Sequence, residues 1–350
     1  MTRYDPRGAA CLRLGRFDPK EKACELWWSG SGVRTRLDGR RLELEATTWD
    51  DDHTAFVCVA VDGAPVTRFA LRPGTHRYDL LGGMEAGVPH EVEIVRDTQP
   101  VDCDATRVVF DALWADGTLT APAPRPRLIE FIGDSLTVGE GTVGPRDAMD
   151  WRMLWISNRF AFPELVSDAL DADKRVVALG GWGAYLSYDA NPGHALGHIY
   201  DKLCGIVPAA NVDYDFAAQR RADAVVINLG TNDGGAIDRM EGPERDAALA
   251  ALEESAARLL ADVRAHNPDA PILWAYGMCG DGVAAPLRRA VERRVAAGDA
   301  NVRYLALDDC AGDVGSRMHP SRSAHRRAAE QIAGALEKML KRNEKLGMRN

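Results

Sequence analysis

The chain has 350 residues, 46% of them hydrophobic and 27% charged, which excludes a fibrous or disordered polymer and suits two domains, each able to bury a core. A formal net charge of -9, with no Lys/Arg stripe interleaved with aromatic residues, excludes nucleic acid as a partner. No segment approaches the roughly 20 apolar residues that span a bilayer, and residues 1–11 lack the apolar stretch of a secretory signal, so no membrane partner and a cytoplasmic location are expected.

From residue 9 to about residue 116 the pattern is one of short β-runs, at residues 24–28, 41–47, 55–61, 66–71, 90–95 and 106–113. Many alternate in period two, as Leu42, Leu44 and Ala46 do against Glu43, Glu45 and Thr47, and turn signals such as Asp62-Gly63 separate them. Residues 1–120 therefore read as an antiparallel β-sandwich or jelly roll. Residues 121–126, Ala-Pro-Ala-Pro-Arg-Pro, read as a stiff linker. Beyond it, in residues 127–350, apolar strand-like runs at 128–132, 175–179, 224–229, 272–276 and 302–307 alternate with helical stretches at 244–266, 285–297 and 321–341. That alternation predicts an α/β domain with a parallel sheet, whose ligands bind beyond the carboxyl ends of the strands.

The residues that follow each strand are thus the ones that carry chemistry. Gly133-Asp134-Ser135 puts a serine hydroxyl on a tight turn at a strand end, where Asp and Ser also suit an ordinary helix N-cap. Gly180-Gly181-Trp182-Gly183 lets a backbone N–H approach a substrate closely, or simply makes a flexible turn. In Gly230-Thr231-Asn232-Asp233 the Asn232 amide can face a developing oxyanion, although the same residues suit a helix start. His319-Pro320 stands just before the last helix, with His325 inside that helix as a weaker candidate base. His194 and His198 have a spacing that suits a metal, but no carboxylate or cysteine completes the set, so they read as a polar helix face and no metal is expected. Seven scattered cysteines read as reduced thiols, Cys279 among them as packing or pocket lining.

Taken in this order over residues 127–340, these four elements resemble the SGNH hydrolase superfamily, the GDSL esterases. The resemblance implies a three-layer α/β/α fold with Ser135 as nucleophile and His319 as base. It also implies an oxyanion hole from the Ser135 N–H, the Gly183 or Gly181 N–H and the Asn232 amide. A β-sandwich placed before such a domain is similar to carbohydrate esterase family 2, two-domain acetylesterases that deacetylate xylan and manno-oligosaccharides. The stretch Phe-Ile-Gly-Asp-Ser-Leu-Thr-Val-Gly-Glu-Gly at 131–141 and the run at 29–37 carry that likeness.

One position departs from the superfamily, which places an aspartate three residues before the histidine where this chain has Ser316. Asp313 is the first substitute, Asp308 and Asp309 lesser ones, and a backbone carbonyl is the alternative that family 2 implies, working as a Ser-His dyad. An acid orients the imidazole and stabilises its charged form, so its loss slows the reaction without changing its class. Acyl transfer through serine needs no metal or organic cofactor. The expected partner is a small or oligosaccharide ester, with Trp182, and less so Trp151 and Trp155, as a platform for a sugar ring. An esterase acting on non-sugar substrates and an inactive sugar-binding module are the competing expectations.

Overall fold

The computed structural model describes residues 1–50 and 52–345. The N-terminal domain consists of β1 (Thr2–Tyr4), β2 (Leu12–Leu14), β3 (Cys24–Leu26), β4 (Gly32–Asp38), β5 (Arg41–Thr48), β6 (Phe56–Val61), β7 (Ala64–Ala70), β8 (Gly74–Gly82), β9 (His90–Arg96), β10 (Val108–Ala115) and β11 (Thr118–Thr120). One sheet runs β1-β10-β5-β8 with β3 on β10; the other runs β11-β4-β9-β6-β7 with β2 on β4, all antiparallel. Alternation in β5 buries Leu42, Leu44 and Ala46, and these meet Val33, Val57, Val59, Val92 and Ile94 of the facing sheet in one core. The polar strand β8, with only Leu80 buried, lies at a sheet edge and is held by its backbone pairing with β5, which is why hydrophobicity did not signal it.

Thr120 ends the last sandwich strand, and β12 (Arg127–Gly133) opens the second domain. Its sheet continues with β13 (Ala172–Ala178), β14 (Ala224–Asn228), β15 (Ile272–Tyr276) and β16 (Val302–Ala306), all parallel in the order β13-β12-β14-β15-β16. The helices are α1 (Ser135–Val138), α2 (Phe162–Ala169), α3 (Thr231–Ile237), α4 (Gly242–His266), α5 (Ala284–Ala296) and α6 (Arg322–Lys345). Ile132, Val225, Ile227 and Trp274 face α4 and α5, while Phe131, Val226, Leu273 and Ala275 face α2 and α6. Alternate side chains thus feed two cores, and the domain is the expected three-layer α/β/α sandwich. Helix α2 follows Ala161 with Pro163 in its first turn, yet its eight residues are too few to show a helical period in the sequence.

The two domains are joined by buried contacts rather than by the linker alone. Arg16, fully buried, pairs with Glu130 of β12 at 3.1 Å and donates to the Tyr200 and Lys202 carbonyls at 2.6 and 2.8 Å. The rings of Tyr200, Tyr214 and Phe216 surround its guanidinium. The Trp28 indole donates to the Leu203 carbonyl at 2.7 Å, and Arg34 pairs with Asp173 at 2.7 Å. The Arg125 and Pro126 carbonyls accept from Arg220 at 2.9 and 2.8 Å, which pins the linker against the second domain.

Candidate active site

In a parallel sheet of this order the chain leaves β12 towards one side and its neighbours towards the other, opening a crevice at their carboxyl ends. Ser135 directly follows β12 and Asp134, Gly181 follows β13, and Asn232 follows β14. Ser135, Asn232 and His319 line one cleft there, with Gly180 and Gly181, Glu140, Trp151, Tyr188 and Arg317 around them. Ser135 is 5% exposed and begins α1, whose N-cap Asp134 accepts from the Leu136 N–H at 3.0 Å. Burial pushes the Asp134 carboxyl up to about 8.

Asn232 sits in the first turn of α3. Its Nδ2 donates to the Trp182 carbonyl at 2.7 Å and makes a longer, 3.4 Å contact with Asp134 Oδ2, so one amide N–H is only weakly engaged at the cleft. The two candidate glycines are separated by their hydrogen bonds. The Gly183 N–H donates to the His194 carbonyl at 3.3 Å, and a Cβ there would lie 2.6 Å from Asp233 Oδ2. Gly183 is therefore a close-packing position over the buried Asp233 carboxylate, which accepts from the Ala184, Tyr185 and Leu186 N–H groups. Gly181 has φ +83° and lines the cleft. Of the two glycines expected from the sequence, Gly181 is the one that lines the cleft. Gly180 gives its N–H to Gln99 Oε1 of the β-domain at 2.8 Å, which holds this loop in place.

His319 follows a 3₁₀ turn, Ser316–Met318, in which Arg317 (φ +54°) and Met318 (φ +57°) both occupy the left-handed region that non-glycine residues rarely adopt. This turn brings the Arg317 carbonyl to 2.9 Å from His319 Nδ1. A carbonyl only accepts, so Nδ1 carries the proton and the neutral ring presents a bare Nε2. Asp313 is not brought to the imidazole. Its carboxylate accepts from Ser321, Ser323 and Arg327, and these bonds hold it down at about 2. The group that His319 Nδ1 meets is thus a backbone carbonyl and not a carboxylate. Ser316 instead donates to the Val143 carbonyl at 3.1 Å.

Other sequence candidates fall elsewhere. His325 is buried in α6, stacked on Phe162, and accepts the Phe162 N–H at 3.2 Å. His194 is outside any helix, so the pair His194 and His198 is not a helix face, and its ring stacks on Trp182 at 4.9 Å. Trp155 packs over Gly144. Trp151 and Tyr188 line the cleft, as does Cys279. Glu140 lies within the serine motif, and its flanking glycines are the only signal the sequence gives for it. Gln99 and the Arg317 carbonyl carried none, because one acts across a domain boundary and the other is backbone.

No helix among the described residues is long and apolar enough to cross a membrane. Residues 13–124 match the carbohydrate esterase 2 N-terminal family, and residues 131–328 match the GDSL-like lipase/acylhydrolase family. The chain is 27% identical over 348 residues to a cellulase/esterase of Acetivibrio thermocellus, covering 96% of this chain and 40% of that protein. It is 30% identical over 212 residues to an acetylxylan esterase / glucomannan deacetylase of Cellvibrio japonicus, covering 59% of this chain and 55% of that one. It thus spans about half or less of the length of these two curated relatives. Among solved structures it is similar to an acetyl xylan esterase from the rumen bacterium Butyrivibrio proteoclasticus, with TM-score 0.91, 27% identity and 100% of both chains covered. It is also similar to a family two carbohydrate esterase from Clostridium thermocellum in complex with cellohexaose, with TM-score 0.82, 25% identity, and 97% of this chain and 100% of that chain covered. With more than half of its length in that match and a carbohydrate esterase 2 N-terminal domain before it, the chain belongs to the GDSL-like lipase/acylhydrolase family.

Proposed function

We propose that the protein is a serine esterase that removes acetyl groups from carbohydrate, xylo- or manno-oligosaccharides foremost, through a Ser135–His319 dyad. The observation that carries this reading is the convergence of Ser135, Asn232 and His319 from separate elements on one cleft, with the His319 Nδ1–H held by a carbonyl. Relatives named acetylxylan esterase support the substrate class, and Trp151 and Tyr188 supply aromatic surface on which a sugar ring can lie.

In this reading Ser135 Oγ attacks the ester carbonyl while its proton passes to His319 Nε2. The oxyanion is held by the Ser135 and Gly181 N–H groups and the Asn232 amide. The ester C–O bond then breaks, and the Nε2 proton leaves with the sugar hydroxyl. Water repeats the sequence on the acetyl-enzyme, releasing acetate and restoring the Ser135 proton.

The test is acetate release from 4-nitrophenyl acetate and from acetylated xylo- and manno-oligosaccharides by wild type and Ser135→Ala. The wild type is expected to prefer the sugars and the variant to lose at least about a thousandfold in rate. Equal rates would remove Ser135 from the mechanism. Sugar binding without turnover by the wild type would leave a binding protein.

A further inference from the structure

The carbonyl that orients His319 carries no full charge, so the dyad lacks the second task of an acid, which is to stabilise the imidazolium that forms when Nε2 takes a proton. One carboxylate stands beside that nitrogen. Glu140 Oε2 lies 3.7 Å from His319 Nε2, and its other oxygen, Oε1, forms an ion pair with Arg317 Nε at 2.6 Å. We propose that Glu140 is a positioning residue for His319, supplying from the Nε2 side the negative charge that the superfamily's aspartate supplies from the Nδ1 side. The proposal rests on the Ser135–His319 reading.

The local backbone is built to hold Glu140 there. The segment is Gly139-Glu140-Gly141, with φ +86° at Gly139 and +84° at Gly141. A Cβ on Gly139 would lie 2.2 Å from the Ser157 carbonyl oxygen, and one on Gly141 2.6 Å from the His319 Cβ. A Cβ on Gly315 would lie 1.9 Å from the Gly141 carbonyl oxygen, so the serine loop and the histidine loop touch through glycines on both sides. Glu140 donates its N–H to the Ser135 carbonyl at 3.0 Å and is 3% exposed. Its backbone is thus held in the cleft wall, and the Arg317 charge beside its carboxylate offsets part of the cost of burying it. Arg317 serves twice, with its carbonyl on Nδ1 and its guanidinium on Glu140.

Other charged or titratable groups face His319 from the elements around it. His325 of α6 is fully buried, and Asp134 before α1 is buried, which pushes its carboxyl up to about 8. Asp238, Cys279 and Asp281 line the far part of the cleft. Among the described residues, Glu140 is the carboxylate at ion-pair distance from the ring.

The experiment is the pH profile of kcat/KM for 4-nitrophenyl acetate, which has no sugar to contact, by wild type, Glu140→Gln, Glu140→Asp and Ser135→Ala, with thermal melting as the folding control. Glu140→Gln is expected to move the acid limb, which reports His319, to lower pH by about half a unit or more and to lower the plateau about tenfold. Glu140→Asp, which retracts the charge, should give a smaller shift in the same direction. A wild-type limb and plateau in Glu140→Gln would overturn the proposal, and if that variant does not fold, an unmoved limb in Glu140→Asp does so by itself. A rise in KM for acetylated sugars alone would also overturn it, making Glu140 a sugar contact. If Ser135→Ala is as active as wild type, the dyad reading falls instead, and that outcome is distinct from the others.

Discussion

His325 shows how one residue type divides by environment. His319 lines a cleft with a carbonyl on one nitrogen, whereas His325 is buried against Phe162 with no hydrogen-bond partner for its Nε2 among the described residues. Burial drives the His325 imidazole down to about 3 from the ordinary 6.5. The unfolded chain therefore binds a proton that the folded chain refuses. The stability His325 contributes is complete above pH 6.5 and is lost as pH falls from there towards about 3. His325→Gln keeps an acceptor for the Phe162 N–H and does not titrate. Its melting temperature should fall less steeply than that of wild type between about pH 6 and pH 4, and parallel curves would show that His325 does not contribute to acid sensitivity.

At the scale of elements, strand β12 does two jobs. Its carboxyl end delivers Ser135, and its middle carries Glu130, which is fully buried. Burial alone would raise the Glu130 carboxyl, but the charges of Arg16 and Arg175 hold it below the ordinary carboxylate range. The strand that bears the nucleophile is thereby tied to the segment between β2 and β3 of the other domain. Replacing Arg16 by Met leaves Glu130 with Arg175 at 3.6 Å as its remaining ion-pair partner among the described residues. Breaking a fully buried pair from one side costs about 3–5 kcal/mol, a loss to be read from urea unfolding. The double variant Arg16→Met, Glu130→Gln should recover part of it, because no carboxylate is then left underpaired. A single variant as stable as wild type would mean that the pair does not lock the domains.

For the whole molecule, the question left open by the sequence is what the β-domain does for the hydrolase, and Gln99 gives a specific answer. Its Oε1 takes the Gly180 N–H, fixing the peptide run that carries Gly181 into the cleft. Gln99→Ala should therefore lower kcat for 4-nitrophenyl acetate about five- to thirtyfold, corresponding to about 1–2 kcal/mol for a lost buried hydrogen bond, with KM little changed. An unaltered kcat would reduce the β-domain to a scaffold. The sequence alone determined the two architectures, because period-two alternation in strands such as β5 and apolar runs separated by long helices are local consequences of which faces are buried. It also showed where to look, because ligands of parallel sheets lie beyond the carboxyl ends of the strands: Ser135 and Asn232 follow β12 and β14, and His319 precedes α6 on the same cleft. Helix α2 was too short and β8 too polar to register. Only the tertiary structure showed that Gly181 lines the cleft while the Gly183 N–H is given to the His194 carbonyl. It also showed that the Arg317 carbonyl, and not Asp313, meets His319 Nδ1, in a turn with two residues at positive φ. Glu140 and Gln99 became visible for the same reason. Their contacts join segments far apart in the chain, and such contacts are set by packing between loops and domains rather than by any pattern within one segment.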